Sequence, residues 1–229
     1  MIQEEWLEFF SDSSFVCFKK SEVKQFQELN LLNQLVLPAE VSLYHLDRQH
    51  EFKLGRLCAC LAHRDFFNND LLNLPSNKDR SPSWPKGVIG SISHSKTWVG
   101  AAVSSDSKLL GVGIDFEELG RTKLELSPHI RAKEDIQKKS EYTDEELLSL
   151  IFSFKESLYK ALYPQVKVFF GFHDAYISEI DSSNGTFQIK LKKDLNQQFK
   201  VGENDSFRGK YSIHSGQCLS VIEIKNEKI

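Results

Sequence analysis

The chain has 229 residues, of which 40% are hydrophobic, 27% charged and 11% aromatic, an ordinary globular composition. A formal net charge of −3 argues against nucleic acid as the main partner. No apolar run approaches the length of a membrane span, and acidic residues near Met1 replace the basic start of a secretory signal, so neither membrane insertion nor export is expected. Four scattered cysteines (Cys17, Cys58, Cys60, Cys218) do not form a zinc ligand pattern and read as free buried thiols of a reducing, cytoplasmic compartment.

Phe15–Phe18 suggests a short strand, and the polar, leucine-rich stretch after it up to about residue 40 carries little information. From Val41 to Phe67 the spacing of Leu43, Leu46, Leu54, Leu57, Leu61 and Ala62 predicts one long core helix. Arg56 and Arg64 stand eight apart on nearly the same side of it. Two readings are open: solvent-exposed arginines, or forked guanidinium donors facing phosphate.

A loop over residues 68–86 runs into Arg80-Ser-Pro-Ser-Trp84-Pro-Lys86-Gly87, whose prolines make Trp84 part of a rigid wall. Residues 88–104 read as two strands joined by Ser93-His94-Ser95-Lys96-Thr97. The Ser-His-Ser string has neither a nucleophile elbow nor an orienting carboxylate, so a hydrolytic triad is disfavoured. A hydroxyl, an imidazole and turn amides suit an anion instead.

Residues 111–118, Gly-Val-Gly-Ile-Asp-Phe-Glu-Glu, predict a strand with Asp115 and Glu117 on one side and Ile114 and Phe116 on the other, in a core. Residues 119–140 hold a local excess of Arg and Lys, readable as solvated surface or as a dock for an acidic protein. Thr143 followed by Glu146 is a capping box that starts a helix through Lys160.

On that helix Phe152, Lys155, Glu156, Tyr159, Lys160 and Tyr163 form one stripe, part aromatic and part charged. Glu156 and Lys160 alone would be an i,i+4 surface pair worth roughly 0.2–0.5 kcal/mol. Their aromatic company points to a cleft wall. Two strand carboxylates with Glu156 would make a hard oxygen site of the kind Mg²⁺ accepts together with phosphate oxygens. The remaining chain reads as strands at 173–180, 186–191, 208–213 and 218–224, with turns at Asn184-Gly185 and Ser215-Gly216. Each half thus combines a long helix with antiparallel strands, although no repeat is visible in the residues.

Ser91-Ile-Ser-His-Ser95, Gly113-Ile-Asp115-Phe-Glu117 and Phe152-Ser-Phe-Lys155-Glu156-Ser-Leu-Tyr-Lys160, in that order, resemble the signature of the Sfp-type 4'-phosphopantetheinyl transferases. Gly55-Arg56 with Ala59 and Arg64, and Trp84-Pro85-x-Gly87, resemble the branch of the enterobactin synthase component D enzymes. The resemblance spans roughly residues 50–165; Phe152 stands where Trp is common and Phe116 where an aliphatic residue is common.

This resemblance implies an α+β monomer of two similar lobes related by a pseudo-twofold, residues 1–110 and 111–229, each a long helix on a small antiparallel sheet, with the active site in the cleft between them. It implies transfer of phosphopantetheine from coenzyme A to a serine of an apo acyl or peptidyl carrier protein, with release of adenosine 3',5'-bisphosphate. Asp115, Glu117 and Glu156 would hold Mg²⁺; Lys155 and Lys160 would meet coenzyme A phosphates or the reacting centre. Ser93 and His94 match the phosphate-binding turn, and Arg56, Arg80 and Arg64 are assigned to the 3'-phosphate and its neighbours. Glu156 is the candidate general base, with Asp115 or a water as the alternative. Two other classes stay open: a non-catalytic protein that binds carrier domains or coenzyme A, and a Mg²⁺-dependent phosphohydrolase.

Overall fold

In the computed structural model, which describes residues 4–25, 35, 38–71 and 73–226, the chain divides into two units. One comprises Met1–Leu110 with Lys225–Ile229, the other Gly111–Ile224.

The first unit contains α1 (Glu4–Leu7), β1 (Ser14–Lys19), α2 (Ala39–Ser42), α3 (Leu46–Phe67), β2 (Val88–His94) and β3 (Trp98–Ser105). Its sheet runs β1-β3-β2, all antiparallel, with Phe15 opposite Ala102 and Ile92 opposite Ala101. Leu54, Leu57, Cys58, Leu61 and Ala62 of α3 form a core with Val16, Phe18, Val99, Ala101 and Val103. Trp84 packs against that core; a Cβ on Gly90 would stand 2.3 Å from its ring, so only glycine lets the indole lie on β2.

The long helix begins later than its periodicity predicts. The chain turns at residues 43–45 between α2 and α3, leaving Leu43 and Leu46 at 85% and 75% exposure rather than in the core. His45 caps α3, its Nδ1 accepting from the amide of Asp47 at 3.4 Å. The pattern could not separate these leucines because a one-turn helix and the next helix keep apolar residues in apparent phase.

The second unit holds most of β4 (Leu109–Glu118), a 3₁₀ turn at Leu124–Leu126, α4 (Ser127–Ile130), α5 (Asp144–Val166), β5 (Ala175–Asp181), β6 (Thr186–Leu191), β7 (Ser206–His214) and β8 (Gln217–Lys225). Its five-stranded sheet has the order β4-β8-β7-β6-β5. The expected capping box is present: Thr143 Oγ1 accepts from the Glu146 amide, and the Glu146 carboxylate accepts from the Thr143 amide. The helix then continues past Lys160 and through Pro164 to Val166. Phe154 stacks on Phe187 with ring centroids 3.8 Å apart and also meets Tyr211. Burying such a ring contributes about 1.5–3 kcal/mol.

What places α5 on the sheet is a seam of small residues. Ser149, Ser153 and Ser157 recur every four residues, are fully buried, and are followed on the same side by Ala161. Ser153 and Ser157 share hydrogen bonds with Ser220 of β8 at 2.8 and 2.6 Å. On β4, a Cβ at Gly113 would lie 1.9 Å from the Ser157 carbonyl oxygen, and one at Gly111 2.0 Å from that of Ala161. Gly113→Ala therefore forces the helix off the strand and lowers stability by about 1–3 kcal/mol or more, measured as a shift in chemical denaturation; an unshifted midpoint would contradict this contact. Each unit is thus a long helix on an antiparallel sheet, the α+β class expected.

Candidate active site

The seam delivers Glu156 and Lys160 of α5 to β4. Asp115 alternates with Ile114 and Phe116, both buried in the core, and so faces away from them with Glu117, as the strand period requires. Lys160 Nζ donates to Asp115 Oδ1 at 2.7 Å and to the Ile114 carbonyl at 3.1 Å. Asp115 is 6% exposed, and the Lys160 side chain is 25% exposed.

Burial, and then the neighbouring charge of Asp115, push the Glu117 carboxyl up to about 7, against Arg121 and a hydrogen bond from Thr122 that pull it down. Glu156 is raised from 4.5, first by burial; Lys160 opposes the rise and Asp115 adds to it. Asp115 is thus the charge that both glutamates feel. Ser149 Oγ accepts from the amides of Gly120 and Thr122 and so holds the turn that leaves the strand.

Among the described residues no group of three His, Cys, Asp or Glu side chains stands close enough together to hold a metal ion. The expected set of Asp115, Glu117 and Glu156 is therefore not gathered into a coordination shell, and Lys160 occupies one Asp115 oxygen. The donor chemistry nevertheless fits a hard divalent cation: three carboxylates offering only oxygen, two of them glutamates whose affinity for positive charge Asp115 raises.

Lys155, expected at the coenzyme A phosphates or the reacting centre, is engaged in this structure by two backbone carbonyls and by Asp135. Its ammonium, 2% exposed, donates to the carbonyls of Ile130 at 3.0 Å and Phe172 at 2.8 Å and to Asp135 Oδ2 at 2.6 Å. Burial lowers its proton affinity, and Asp135 restores part of it. Asp135, one of the charges of the supposedly solvated basic segment, is itself 2% exposed and accepts from the amides of Ala132 and Ile177, both at 2.6 Å. The pair ties that segment to α5 and β5. Its sequence signal was one of three acidic residues within a basic run, which is not distinctive.

In the first unit, a cavity of about 450 Å³ is lined by Val41, Tyr44, Arg48, Phe52, Ser76 and Arg80. Arg56, 6% exposed, stacks over Phe52 at 4.5 Å and donates to Ser76 Oγ at 3.0 Å, immediately behind that lining. Its buried Nε has no hydrogen-bond partner among the described residues, and burial lowers its proton affinity to about 10. Arg64 is not brought to this cavity; it is exposed and meets only the edge of ion-pairing range of Asp65, at 4.0 Å. The cavity lies along the stretch of α3 from Arg48 to Phe52, and eight residues at 1.5 Å each carry Arg64 about 12 Å beyond Arg56 along the helix.

His94 closes β2 rather than lying in the turn beyond it, and Ser93 beside it is 4% exposed. Ser95 makes the turn, its hydroxyl accepting from the amides of Thr97 and Trp98. Arg48, which the sequence reading missed, reaches His94 Nε2 at 2.7 Å. Its position four residues before Phe52, about one turn away on the same side of α3, was the available signal.

Residues 39–104 match the 4'-phosphopantetheinyl transferase N-terminal domain family, and residues 111–214 match the 4'-phosphopantetheinyl transferase superfamily. The 4'-phosphopantetheinyl transferase Svp of Streptomyces mobaraensis is 30% identical over 187 residues, covering 77% of this chain and 72% of that protein. Npt of Nocardia iowensis, of the same description, is 28% identical over 76% of this chain and 82% of its own. Enterobactin synthase component D of Salmonella typhimurium is 33% identical over 60% of this chain and 57% of its own. Carboxylates and lysine on one strand and helix, and arginines around a cavity, thus sit on the two stretches that the family shares: the chain belongs to the 4'-phosphopantetheinyl transferases, enzymes that transfer phosphopantetheine to carrier proteins.

Proposed function

We propose that the chain takes the 4'-phosphopantetheine group from coenzyme A, attaches it to a serine of an apo acyl or peptidyl carrier protein in a Mg²⁺-dependent reaction, and releases adenosine 3',5'-bisphosphate. The observation that carries this reading is the grouping of Asp115, Glu117, Glu156 and Lys160 on β4 and α5, with both glutamates raised by burial and by Asp115. Four free, buried cysteines are consistent with action in a reducing cytoplasm.

Asp115, Glu117 and Glu156 would hold the cation. A Mg²⁺ held there would supply charge neutralisation for the pyrophosphate. Lys160 adds a positive charge beside Asp115 and is placed to hold a phosphate oxygen once the carboxylate has another partner. Glu156 accepts the proton of the carrier serine, whose oxygen forms a new bond to the β-phosphorus while the bond to the leaving bisphosphate breaks. A carboxylate whose proton affinity burial raises is a better base near neutral pH than an exposed glutamate.

Arg56, Arg80 and the missed Arg48 line or back the cavity and are assigned to coenzyme A phosphates, with Ser93 and His94. The buried Nε of Arg56, without a hydrogen-bond partner among the described residues, supports an anion at that place. Exposed Arg121, Lys123, Lys133 and Lys138 suit the acidic surface of a carrier.

The test is intact-mass spectrometry of an apo carrier incubated with the protein, coenzyme A and Mg²⁺, with and without a chelator. The expected result is a carrier heavier by one phosphopantetheine group only when metal is present. Modification that survives exhaustive chelation would overturn the metal assignment, and no modification of any of several carriers would overturn the reaction.

A further inference from the structure

Beneath the phosphate-binding residues of the first unit lies a carboxylate with no assigned role. Glu51 sits on α3, almost one turn after Arg48 and directly before Phe52. Its Oε1 accepts from Lys20 Nζ at 2.6 Å and lies 3.8 Å from His94 Nδ1, and its Oε2 accepts from Arg48 Nη1 at 3.2 Å. Arg48 Nη1 in turn meets His94 Nε2 at 2.7 Å. Three elements converge on this carboxylate: the turn after β1 through Lys20, α3 through Arg48, and the end of β2 through His94.

The contacts fix the chemistry of the cluster. With Arg48 donating to Nε2, the neutral imidazole carries its proton on Nδ1, the nitrogen that faces Glu51. Two cations and a ring that reach the same small volume repel or drift apart unless an anion sits among them. Glu51 is that anion, and its side chain is only 27% exposed, which shields the attraction less than open solvent would. Lys20 at 16% exposure and Glu51 form the inner pair, whereas Arg48 at 56% is the member open to a ligand. A carboxylate between the cations and a bound phosphate would compete with that phosphate. Here it lies on the Lys20 side, with Arg48 the most exposed of the group.

We propose that Glu51 is a positioning residue: anchored by Lys20, it holds Arg48 and His94 side by side as a preformed clamp for a phosphate of coenzyme A. The inference rests on the assignment of Arg48 and His94 to coenzyme A phosphate. It concerns binding rather than the chemical step, because Glu51 orders donors that meet the substrate's phosphate and contacts no reacting atom. Preorganised donors lower the cost of ordering on binding, so their loss appears in affinity.

The experiment compares Glu51→Gln, Lys20→Met, Arg48→Ala and His94→Ala with the unaltered protein, by titration calorimetry with coenzyme A and by steady-state kinetics on an apo carrier. Glu51→Gln keeps the size of the side chain and one acceptor, so folding is preserved; its thermal midpoint verifies this. Glu51→Gln is expected to weaken coenzyme A binding and raise KM by about tenfold with kcat at saturating coenzyme A nearly unchanged. Lys20→Met, which never meets the ligand, is expected to shift KM in the same direction by a smaller factor. If Arg48→Ala and His94→Ala weaken binding while Glu51→Gln binds as tightly as the unaltered protein or more tightly, the positioning role falls and the phosphate assignment stands. If Arg48→Ala and His94→Ala leave coenzyme A affinity unchanged, the phosphate assignment falls and the inference with it. A loss confined to kcat in Glu51→Gln would likewise overturn the role proposed.

Discussion

Glutamine at position 156 is expected to remove activity and spare the fold. Turnover of an apo carrier falls by about 10²–10⁴-fold, the range lost with a general base, while the thermal midpoint near neutral pH stays at or above that of the unaltered protein. The second half of this result is the diagnostic one. Glu156 is raised above 4.5 by burial and by Asp115, so the folded state holds its proton more tightly than the unfolded state does. For a carboxylate shifted in that direction, stability declines as pH rises from 4.5 through the raised folded value. Glutamine does not titrate, so the variant gains on the unaltered protein across that window. Thermal melts over a pH series, with carrier modification followed by mass, measure both parts. A Glu156→Gln protein that is unfolded, or folded and fully active, would remove Glu156 from the site.

Replacing Asp135 with alanine is expected to cost about 3–5 kcal/mol, the usual consequence of stranding one member of a buried ion pair. Lys155 would keep two carbonyl partners but lose the counter-charge that stands 2.6 Å from it, and the amides of Ala132 and Ile177 would lose their shared acceptor. Lys155→Met alone strands the carboxylate and is also destabilising. The double variant Asp135→Asn with Lys155→Met, in which no charge remains and an amide can still accept from a backbone N–H, recovers much of the loss. Activity separates the two accounts of Lys155. If the ammonium met substrate phosphate, the double variant would be stable and inactive. Because it instead braces the segment before α5, the double variant is expected to regain activity along with stability. Equilibrium denaturation and carrier modification on these three variants and the unaltered protein decide between them.

The contrast between Lys155 and Glu156 shows how far the sequence could be read. Periodicity put both on one stripe of a helix, and it was right about the helix, its capping box and the half-buried character of Phe152, Glu156, Tyr159, Lys160 and Tyr163. Periodicity carries no information about a partner twenty residues upstream, so Lys155 and Asp135 were both given to solvent or substrate. The alternation of Asp115 and Glu117 against Ile114 and Phe116 was legible because a strand has only two faces. The start of α3 was not: Leu43 and Leu46 fit a helical pattern, yet the chain turns between them and exposes both. Arg48 escaped notice for a related reason. It lies in the first turn of α3, where the supposed longer helix offered no landmark, and its role depends on His94, forty-six residues away. Conversely Arg56 and Arg64 looked paired by spacing, and burial separates them into a buried guanidinium behind a cavity and a solvated one.

The seam between β4 and α5 has a genetic consequence. A methyl group at Gly113 or Gly111 meets a carbonyl oxygen of the helix backbone, not a side chain. Trimming residue 157 or 161 would leave that oxygen where it is, so no second-site substitution at the facing position can suppress a change at either glycine. The strand bearing Asp115 and the helix bearing Glu156 and Lys160 therefore cannot exchange bulk in the way ordinary core neighbours do. A selection for revertants of Gly113→Ala is expected to return glycine itself, and adaptation to new carrier proteins is left to loops and surface positions that do not press on this contact.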